Sequence, residues 1–478
     1  MINRVQAKTE GIIIDEFIIK VSPDEMYAYV EIDPKNPVLI TALKEKWETI
    51  KSELEKEKIL GILDDPEFGD NQLILAKGKP PKNPIPEKME FFEKFIPLFK
   101  NDKYLESKCK EEIVEEMAED LRDLCQRIIC VEKGEAIGRW YPPIPGTPGL
   151  NIWGDTIEPP SLSEKSPFLL GNNLYIDEND NLIKAKENGV LVIEKDKIEV
   201  YPEYTLKGDV DFSTGNIYFI GKSLTIQGDI KFGFKVICKG RLELQGSTEN
   251  KVYIEVEGIF ICQGIIRGEE TKVKIKGDAE IKSIEFATIE IEGNLTINNY
   301  LIFSKVITYG NIKALSGKGI IYGGDIKCSG NIEVKILGNE GHTPTKIFAG
   351  YNPTLIEPYK KALQEEITLK ETLERLSQGI KLGEKLKKYE KLTPEKEKIL
   401  FKLKEEAEKC YATLEKIKDT ISNLKKIISE YKSRTIRVLE KIYPGVTLGI
   451  TDLSYTIVEE KRGPITFYLE ADKFKFTT

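Results

Sequence analysis

The middle of the chain carries a hydrophobic pattern that repeats every 16–20 residues. Between Gly215 and Gly350, seven glycines recur with successive steps of 19, 18, 19, 16, 17 and 20 residues. A β-branched aliphatic residue stands four places before each glycine, and mostly apolar residues stand two places before it and four places after it. The glycines are Gly221, Gly240, Gly258, Gly277, Gly293, Gly310 and Gly330. The residues four places before them are Ile217, Val236, Ile254, Val273, Ile289, Val306 and Ile326.

These positions share one parity, so in extended chain their side chains point to one side. Two short β runs within such a period are typical of one coil of a β-solenoid, whose stacked coils bury the inward row as a continuous core. A single coil buries too little apolar surface to offset its ordering entropy, so the coils must stack. The recurring glycine predicts a corner where a side chain would clash or where φ is positive.

A β-sandwich of hairpins is the alternative fold for this stretch. Such a fold needs Asn-Gly or Asp-Gly turns at intervals of about 8–12 residues, and the stretch contains neither dipeptide. The unequal steps favour a right-handed β-helix over a left-handed hexapeptide helix, whose coils are strictly regular. Residues 206–356 are therefore predicted to form a right-handed parallel β-helix.

A second pattern, with helical spacing, occupies residues 357–434. Apolar residues alternate by four and three places, which is a heptad stripe, at Leu403, Ala407, Cys410, Leu414, Ile417, Ile421, Leu424, Ile428 and Tyr431. The preceding arm is less regular, with Leu363, Ile367, Leu373, Leu376 and Ile380. Thr393 and Pro394 supply an N-cap and a first-turn proline for a second helix. The pattern predicts an antiparallel coiled-coil hairpin with its apex near 391–394, and an intermolecular coiled coil is the alternative.

The flanking segments complete a mainly β protein of six parts. Residues 1–85 are predicted to form a small α+β domain, with strands in 12–32 and a helix over 41–58. Residues 86–130 are predicted to be helical, with an apolar stripe at Val114, Met117, Leu121, Leu124 and Ile128. Residues 131–205 show short β runs broken by glycine and proline and lead into the solenoid. Residues 435–478 return to a β pattern, and we expect them to rejoin or cap the solenoid.

Composition and charge exclude several classes of function. The 478 residues have a net charge of −8, which argues against general nucleic-acid binding. No apolar run reaches the length of a membrane span, and the first residues lack an apolar signal core, so the sequence predicts a cytoplasmic protein. None of the seven cysteines forms a C-x-x-C pair, and Cys238, Cys262 and Cys328 occupy predicted inward positions, where cysteine behaves as a small hydrophobe.

The candidate chemical motifs each have a structural interpretation that fits better. The acidic cluster of residues 111–123 is expected to be a solvated helix face rather than a metal site, and the glycines around Pro148 are expected to form turns rather than a phosphate loop. His342, the single histidine, could be the base of an acyltransferase, but its surroundings predict a turn. A polysaccharide lyase would need a carboxylate cluster, whereas Glu255, Glu269, Glu270 and Glu285 share no register. We predict no catalytic, cofactor-binding or metal-binding residues and no cofactor.

Several landmarks resemble the bacterial flagellar assembly protein A family. They are Pro145-Gly-x-x-Gly with Trp153-Gly-Asp-x-Ile, Gly171-Asn-Asn, the run from Asp209 through Thr214-Gly-Asn-Ile to Gly221, the pair Gly323-Gly324, the helical hairpin, Tyr443-Pro-Gly-Val, and Ile74-Leu-Ala-Lys-Gly-Lys-Pro-Pro. The resemblance implies a right-handed β-helix interrupted by a coiled-coil hairpin, similar to the C-terminal domain of the MinC septum inhibitor and to bactofilins. It also implies a non-enzymatic cytosolic role in flagellar assembly or placement, often at a cell pole.

The sequence thus predicts a scaffold or adaptor that binds a protein partner, with residues 358–433 as the candidate binding arm. Lysine and arginine outnumber aspartate and glutamate in this arm, although the whole chain is acidic. That balance could steer an acidic partner. A self-assembling, bactofilin-like structural protein is the alternative, since solenoid ends can stack and a homo-oligomer is possible. A β-helix enzyme is the third hypothesis.

Overall fold

The computed structural model describes residues 4–32, 37–69, 71–95, 122–123, 126–161, 168–194, 197–389 and 393–478. Within these ranges a small α+β unit is followed by a region of two small sheets and then by a β-solenoid of about eight turns. Two long helices interrupt the solenoid near its end. The mainly β fold class predicted from the sequence is confirmed, whereas the right-handed sense of the coil and the six domain boundaries stay predictions.

The N-terminal unit is an antiparallel sheet covered by helices. Its elements are α1 (Arg4–Thr9), β1 (Ile12–Ile14), β2 (Phe17–Val21), β3 (Tyr27–Glu31), α2 (Pro37–Glu45), α3 (Trp47–Lys56), β4 (Ile62–Gly69) and β5 (Gln72–Lys77). The sheet order is β1-β2-β3-β5-β4. The single helix expected over 41–58 is two helices that meet at Lys46, yet its predicted apolar face is buried at Leu43, Trp47, Ile50 and Leu54.

Two four-stranded sheets form the next region. Its strands are β6 (Lys88–Phe91), β7 (Cys130–Val131), β8 (Ala136–Tyr141), β9 (Gly149–Leu150), β10 (Thr156–Ile157), β11 (Leu169–Leu170), β12 (Leu174–Asp177), β13 (Leu182–Ala185), β14 (Gly189–Glu194) and β15 (Lys197–Tyr201). The sheets β12-β13-β8-β6 and β11-β15-β14-β7 share one core, which includes Ile137, Ile183 and Leu191. Strands β9 and β10 form a separate pair.

The helix predicted over residues 86–130 is wrong at 126–130, which are not helical, and at Lys88–Phe91. This segment pairs antiparallel with β8, and Met89 and Phe91 pack against the shared core at a strand spacing of two. The predicted Ile128 is buried in the solenoid core. The other stripe residues, Val114 to Leu124, and all of the acidic cluster except Asp123 lie outside the described residues.

The solenoid begins at β16 and uses all the remaining strands. They are β16 (Glu203–Leu206), β17 (Ile217–Phe219), β18 (Ser223–Ile226), β19 (Lys235–Cys238), β20 (Arg241–Leu244), β21 (Tyr253–Val256), β22 (Phe260–Arg267), β23 (Lys272–Ile275), β24 (Ala279–Glu285), β25 (Thr288–Ile291), β26 (Leu295–Thr308), β27 (Ile312–Ala314), β28 (Ile320–Cys328), β29 (Ile332–Leu337), β30 (Thr345–Ala349), β31 (Ile436–Ile442), β32 (Val446–Ile450), β33 (Leu453–Thr456), β34 (Lys461–Arg462), β35 (Ile465–Glu470) and β36 (Lys473–Thr477). From β16 to β32 the pairing between coils is parallel, as a solenoid requires.

The predicted inward rows form continuous columns. The seven β-branched residues stack in register, each directly above the next, from Ile217 on Val236 to Val306 on Ile326, and all are at most 1% exposed. The column continues beyond the prediction through Ile347 to Leu448. The first repeat departs from the pattern, because Leu224 and Ile226 are buried while Thr225, four places after Gly221, is only half-buried.

The glycines lie at a corner where successive coils touch through their backbones. A Cβ on Gly310 would lie 2.5 Å from the carbonyl oxygen of Gly293, and a Cβ on Gly330 would lie 2.6 Å from the carbonyl oxygen of Gly310. None of the seven has positive φ. The sequence offered two reasons for glycine at this corner, a steric clash of any side chain or a positive φ. The steric reason is therefore correct and the positive φ is not.

Side-chain amides reinforce this corner over the last coils. The Oδ1 of Asp278 accepts from the Asn294 N–H (2.7 Å), that of Asn294 from the Asn311 N–H (2.9 Å), that of Asn311 from the Asn331 N–H (2.8 Å) and that of Asn331 from the Thr435 N–H (2.9 Å). We call this series the Asx ladder. The corner lies outside the paired strands, and the Asx ladder supplies it with a second set of hydrogen bonds between coils.

A second glycine corner serves the first coils. Gly208, Gly228, Gly246 and Gly264 stack in the same way, and Asp229 accepts from the Ser247 N–H at 2.8 Å. This bond holds the pKa of Asp229 below its usual range. In the later coils the strand continues through this corner without a break, and the pairing register shifts there in β22 and β24. The corner therefore changes from a glycine turn to a bulged strand along the rod.

The C-terminal segment rejoins the solenoid and then covers its end. β31 and β32 pair parallel with β29 and β30, so they add one more coil after the helices. β33, β34 and β35 then pair antiparallel with that coil, and β36 pairs with β35. Residues 436–477 thus extend the solenoid by one coil and cover its last coil.

Replacing Gly310 with alanine should destabilise the solenoid. The added Cβ would meet backbone atoms of Gly293 and Asn294 at 2.5–2.8 Å, and paired backbone cannot move aside alone. We expect Gly310→Ala to cost about 1–3 kcal/mol, measured as a lower urea midpoint of the circular dichroism signal. Gly341→Ala is the control, because its nearest atoms lie at 3.6 Å or more, and it should change stability by less than about 0.5 kcal/mol. Equal midpoints for both variants would contradict close stacking.

Removing one amide from the Asx ladder should loosen the corner locally. Asn311→Ala deletes the acceptor for the Asn331 N–H and the bond from Asn311 Nδ2 to Asn294 (3.0 Å). We expect a loss of about 1–3 kcal/mol and faster hydrogen exchange at the Asn331 amide. Asn423→Ala, at an exposed helix position, should leave that exchange rate unchanged. Unaltered exchange at Asn331 in the Asn311 variant would show that the ladder adds no protection.

Candidate functional site

The two long helices leave the solenoid at the glycine corner. Gly350 continues the glycine series, and its N–H donates to the carbonyl of Gly330 (3.1 Å). Unlike the seven earlier glycines it has positive φ, +62°, and a Cβ there would lie 2.5 Å from the carbonyl oxygen of Tyr431. The chain returns at Thr435, directly after Asn331 in the Asx ladder. The helices are thus an insertion into one corner of one coil.

The inserted helices are α4 (Pro353–Lys388) and α5 (Pro394–Glu430), which we call the hairpin. Asn352 caps α4 by accepting from the Thr354 N–H at 3.0 Å, so α4 begins four residues before the predicted segment 357–434. Pro394 opens α5 and Thr393 occupies the N-cap position, as predicted, although the Thr393 side chain makes no capping bond. The rest of the predicted apex, residues 391–392, lies outside the described residues.

A hydrophobic cluster fixes the base of the hairpin to the last coils. Tyr351, Ile356, Tyr359 and Ile428 are each at most 9% exposed, and Phe348 of β30 packs against them. The ring of Phe348 covers Gly449 on the neighbouring coil, where a side chain would collide with it. Because both helices and the solenoid share this cluster, the arm has a fixed direction at its base.

Tyr351 is the polar centre of this junction. Its hydroxyl donates to Glu357, and the ammonium groups of Lys327 and Lys360 lie over its ring at 4.9 and 5.2 Å. Burial, followed by the bond to Glu357, raises the pKa of the Tyr351 hydroxyl above its ordinary value. Just after α5, the Lys432 ammonium lies 2.5 Å from the Asp472 carboxylate and lowers the pKa of that carboxyl. The junction is held by both apolar and charged contacts.

Beyond the base, the two helices pack against each other. Leu373, Ala407 and Leu414 are buried between them, with Leu369, Leu376, Ile380 and Cys410 at the edges. Every residue of the heptad stripe predicted for α5 is buried or half-buried. The prediction for α4 is wrong at Ile367, which is 51% exposed, and Leu369 occupies the interface instead. The helices therefore pair antiparallel within one chain.

The hairpin offers a groove and a charged surface. Lys361, Gln364, Glu365, Thr368 and Leu369 of α4, together with Thr413 and Ile417 of α5, line a groove of about 410 Å³. Cross-helix ion pairs Lys387–Glu397 (2.7 Å) and Lys404–Glu384 (2.6 Å) hold the outer part together. Such a groove between helices can accept a further helix along its apolar floor.

The residues considered for catalysis make local structural contacts. His342 is exposed in a turn with φ +51°, and its N–H donates to the Asn339 carbonyl. Glu255 accepts from Tyr253 at 2.6 Å and Glu285 from Tyr300 at 2.5 Å. Across the part of the chain that the structure describes, no group of three or more His, Cys, Asp or Glu side chains could hold a metal ion.

The cysteines at inward positions are core residues. Cys238 and Cys262 are buried, and burial raises the pKa of each thiol to about 12. Cys328 is fully buried, and its pKa is raised for the same reason. A thiol with a raised pKa is a poor nucleophile, which agrees with the structural interpretation of these residues.

The motif Thr214-Gly-Asn-Ile closes the N-terminal end of the solenoid. Asn216 is fully buried and donates through Nδ2 to Asp123 (2.7 Å), while its Oδ1 accepts from the Lys235 N–H (2.8 Å). Thr214 bonds the carbonyl of Asp209 through its hydroxyl (2.9 Å). This motif has a structural role, and sequence spacing alone did not indicate its partner Asp123.

A profile described as the Flagellar Assembly Protein A beta solenoid domain matches residues 202–474. A second, described as the Flagellar Assembly Protein A N-terminal region, matches residues 17–196. No curated protein and no solved structure matches the chain significantly. Among the described residues, no helix combines the length and apolar character needed to cross a membrane. Because the first match spans the solenoid from its first strand to its last and covers more than half of the chain, this protein belongs to the flagellar assembly protein A family.

Proposed function

We propose that this protein is a non-enzymatic scaffold or adaptor in flagellar assembly that captures a protein partner through residues 358–433, which include α5 and most of α4. The family's description supports the link to flagellar assembly. The observation that carries the adaptor role is the buried cluster around Tyr351 and Ile428, which joins a rod to an arm in a fixed orientation. In this proposal the protein works in the cytoplasm and is recruited to a cell pole.

The partner is expected to be helical and acidic at its contact surface. The groove lined by Leu369, Thr413 and Ile417 has an apolar floor against which one additional helix could pack. The excess of lysine in the hairpin would steer an acidic partner and repel a basic one. The solenoid serves as the rigid platform, since its backbone groups are used in pairing between coils.

Removing the hairpin should abolish partner capture and leave the solenoid folded. Gly350 and Arg434 are adjacent, since a Cβ on Gly350 would lie 3.4 Å from Arg434 Cβ, so a short Gly-Ser linker can replace residues 352–433. We expect affinity capture from lysate to recover a partner with the full chain and not with the shortened one. Retained β circular dichroism in the shortened chain is the control. Capture by the shortened chain would reject the hairpin as the binding site.

The bactofilin-like alternative requires solenoids to join end to end. The antiparallel strands β33–β36 lie on the last coil and occupy backbone groups that a stacked copy would need. We therefore expect light scattering after size-exclusion chromatography to give the same mass at every protein concentration over a hundredfold range. A mass that grows continuously with concentration would favour the filament.

A further inference from the structure

In the outer part of the hairpin, glycines face the partner helix and several large apolar side chains face solvent. Gly379 and Gly383 of α4 face α5, where a Cβ on Gly383 would lie 2.7 Å from the Cδ1 of Leu400. Glycine costs about 1 kcal/mol relative to alanine inside a helix. Large apolar side chains instead point to solvent, with exposures of 62% for Leu382, 71% for Tyr389, 56% for Ile399 and 71% for Phe401.

These exposed residues all lie in the outer part of the arm. Leu382, the half-buried Leu386 and Tyr389 follow an i, i+4, i+7 spacing, which puts them on one stripe of α4. Ile399 and Phe401 flank the buried Leu400 at the matching level of α5. A helix pair built only for stability would bury these side chains and expose the glycines. The surface is therefore arranged for contact with something else.

The same end of the hairpin is strongly basic. Residues 381–404 contain nine lysines and four glutamates, with no arginine or aspartate, so their net charge is +5 (9 − 4) and that of the remaining chain is −13 (−8 − 5). Two glutamates, Glu384 and Glu397, are paired with lysines across the helices. Within the described part of the chain, Lys385, Lys388, Lys396, Lys398 and Lys402 make no ion pair.

We propose that the outer end of the hairpin, residues 381–389 and 393–402, binds an anionic lipid surface. Exposed apolar and aromatic side chains would enter the boundary between headgroups and acyl chains, while the long lysine stems reach back to the anionic headgroups. Each lysine near such a surface adds about 1 kcal/mol of attraction. This inference does not depend on capture of a protein partner, and it goes beyond the proposed function.

Two other occupants fit the composition less well. Protein interfaces are enriched in arginine and depleted in lysine, whereas this cationic surface is made of lysine alone. A second copy of the hairpin would bring two charges of +5 together, and like charges repel. A lipid surface needs only diffuse positive charge and apolar side chains, which is what this end presents.

The length of the arm lets an acidic protein approach an anionic surface. From Tyr359 at the buried base to Lys388, 29 residues of helix span about 44 Å at 1.5 Å each. Electrostatic repulsion is screened over about 8 Å at physiological salt. Residues 353–430 have a net charge of +3 (18 − 15), so the rest of the protein carries −11 (−8 − 3). That acidic body would stay several screening lengths from the lipid while the basic end makes contact.

Flotation of the purified full-length protein with vesicles tests the proposal. Vesicles of phosphatidylcholine and phosphatidylglycerol in a two-to-one ratio should carry the protein at low salt, and vesicles of phosphatidylcholine alone should not. Lys388→Glu/Lys398→Glu should weaken partitioning at least about tenfold, and Leu382→Ser/Phe401→Ser should weaken it comparably. Tyr411→Ser/Ile427→Ser is the matched control, because these exposed residues lie on the same hairpin away from its end.

Insertion can be separated from simple adsorption with Tyr389→Trp. Its fluorescence should be quenched by brominated lipid in the anionic vesicles. Absence of flotation with anionic vesicles, or flotation that the end variants leave unchanged, overturns the proposal. Loss of protein capture in the end variants without any vesicle binding would assign this surface to a protein instead. Because the vesicles contain no protein, failure here leaves the adaptor proposal standing.

Discussion

The whole structure depends on how closely one coil can stack on the next. Sheet hydrogen bonds set that spacing at about 4.8 Å along each face, where side chains alternate between core and solvent and do not obstruct the coil above. At a corner the chain turns, and a Cβ on Gly310 or Gly330 would lie against the backbone of the preceding coil. Glycine is needed there because the coils are already at hydrogen-bonding distance. Removing the side chain also permits the direct bond from the Gly330 N–H to the Gly310 carbonyl.

The same constraint decides where the hairpin can be inserted. Along a face, an insertion would break pairing with the coils on both sides, whereas at a corner it interrupts few backbone bonds. The chain leaves after Gly350 and returns at Thr435, whose N–H takes the place in the Asx ladder that the next residue of an uninterrupted coil would fill. Both inward columns then continue, with Leu448 following Ile347 and Val438 following Val334. The solenoid thus accommodates two long helices at the expense of a single turn.

The sequence indicated the parts of the fold that repeat at constant spacing from the glycine, and it missed those whose spacing varies. A third inward column includes Ile230, Thr248, Ile284, Leu301 and Leu337, all at most 1% exposed, but they lie seven to nine residues after their glycine. Ile321 lies eleven residues after its glycine. A fixed period cannot find such a column, because the turns before it differ in length.

Local patterns also fail when pairing with a distant strand decides the secondary structure, as for Lys88–Phe91, whose pairing partner lies near residue 140.

In the hairpin too, the sequence predicted the contacts where apolar spacing is regular and missed them where it is not. The heptad stripe predicted for α5 named nine positions that are all buried or half-buried, but it missed Leu400, which faces Gly383 of α4. Helix α4 follows no single register, and Leu369 rather than Ile367 meets the partner helix. The position of Gly379 and Gly383 opposite Leu403 and Leu400 explains why glycine occurs inside this helix. They let the helices approach closely at the outer end, which leaves no internal space for Leu382, Tyr389, Ile399 or Phe401. Close packing at the glycine corner of the rod and at the glycine positions of the arm therefore has opposite consequences. In the rod it draws apolar side chains into the core, and in the arm it directs them toward solvent.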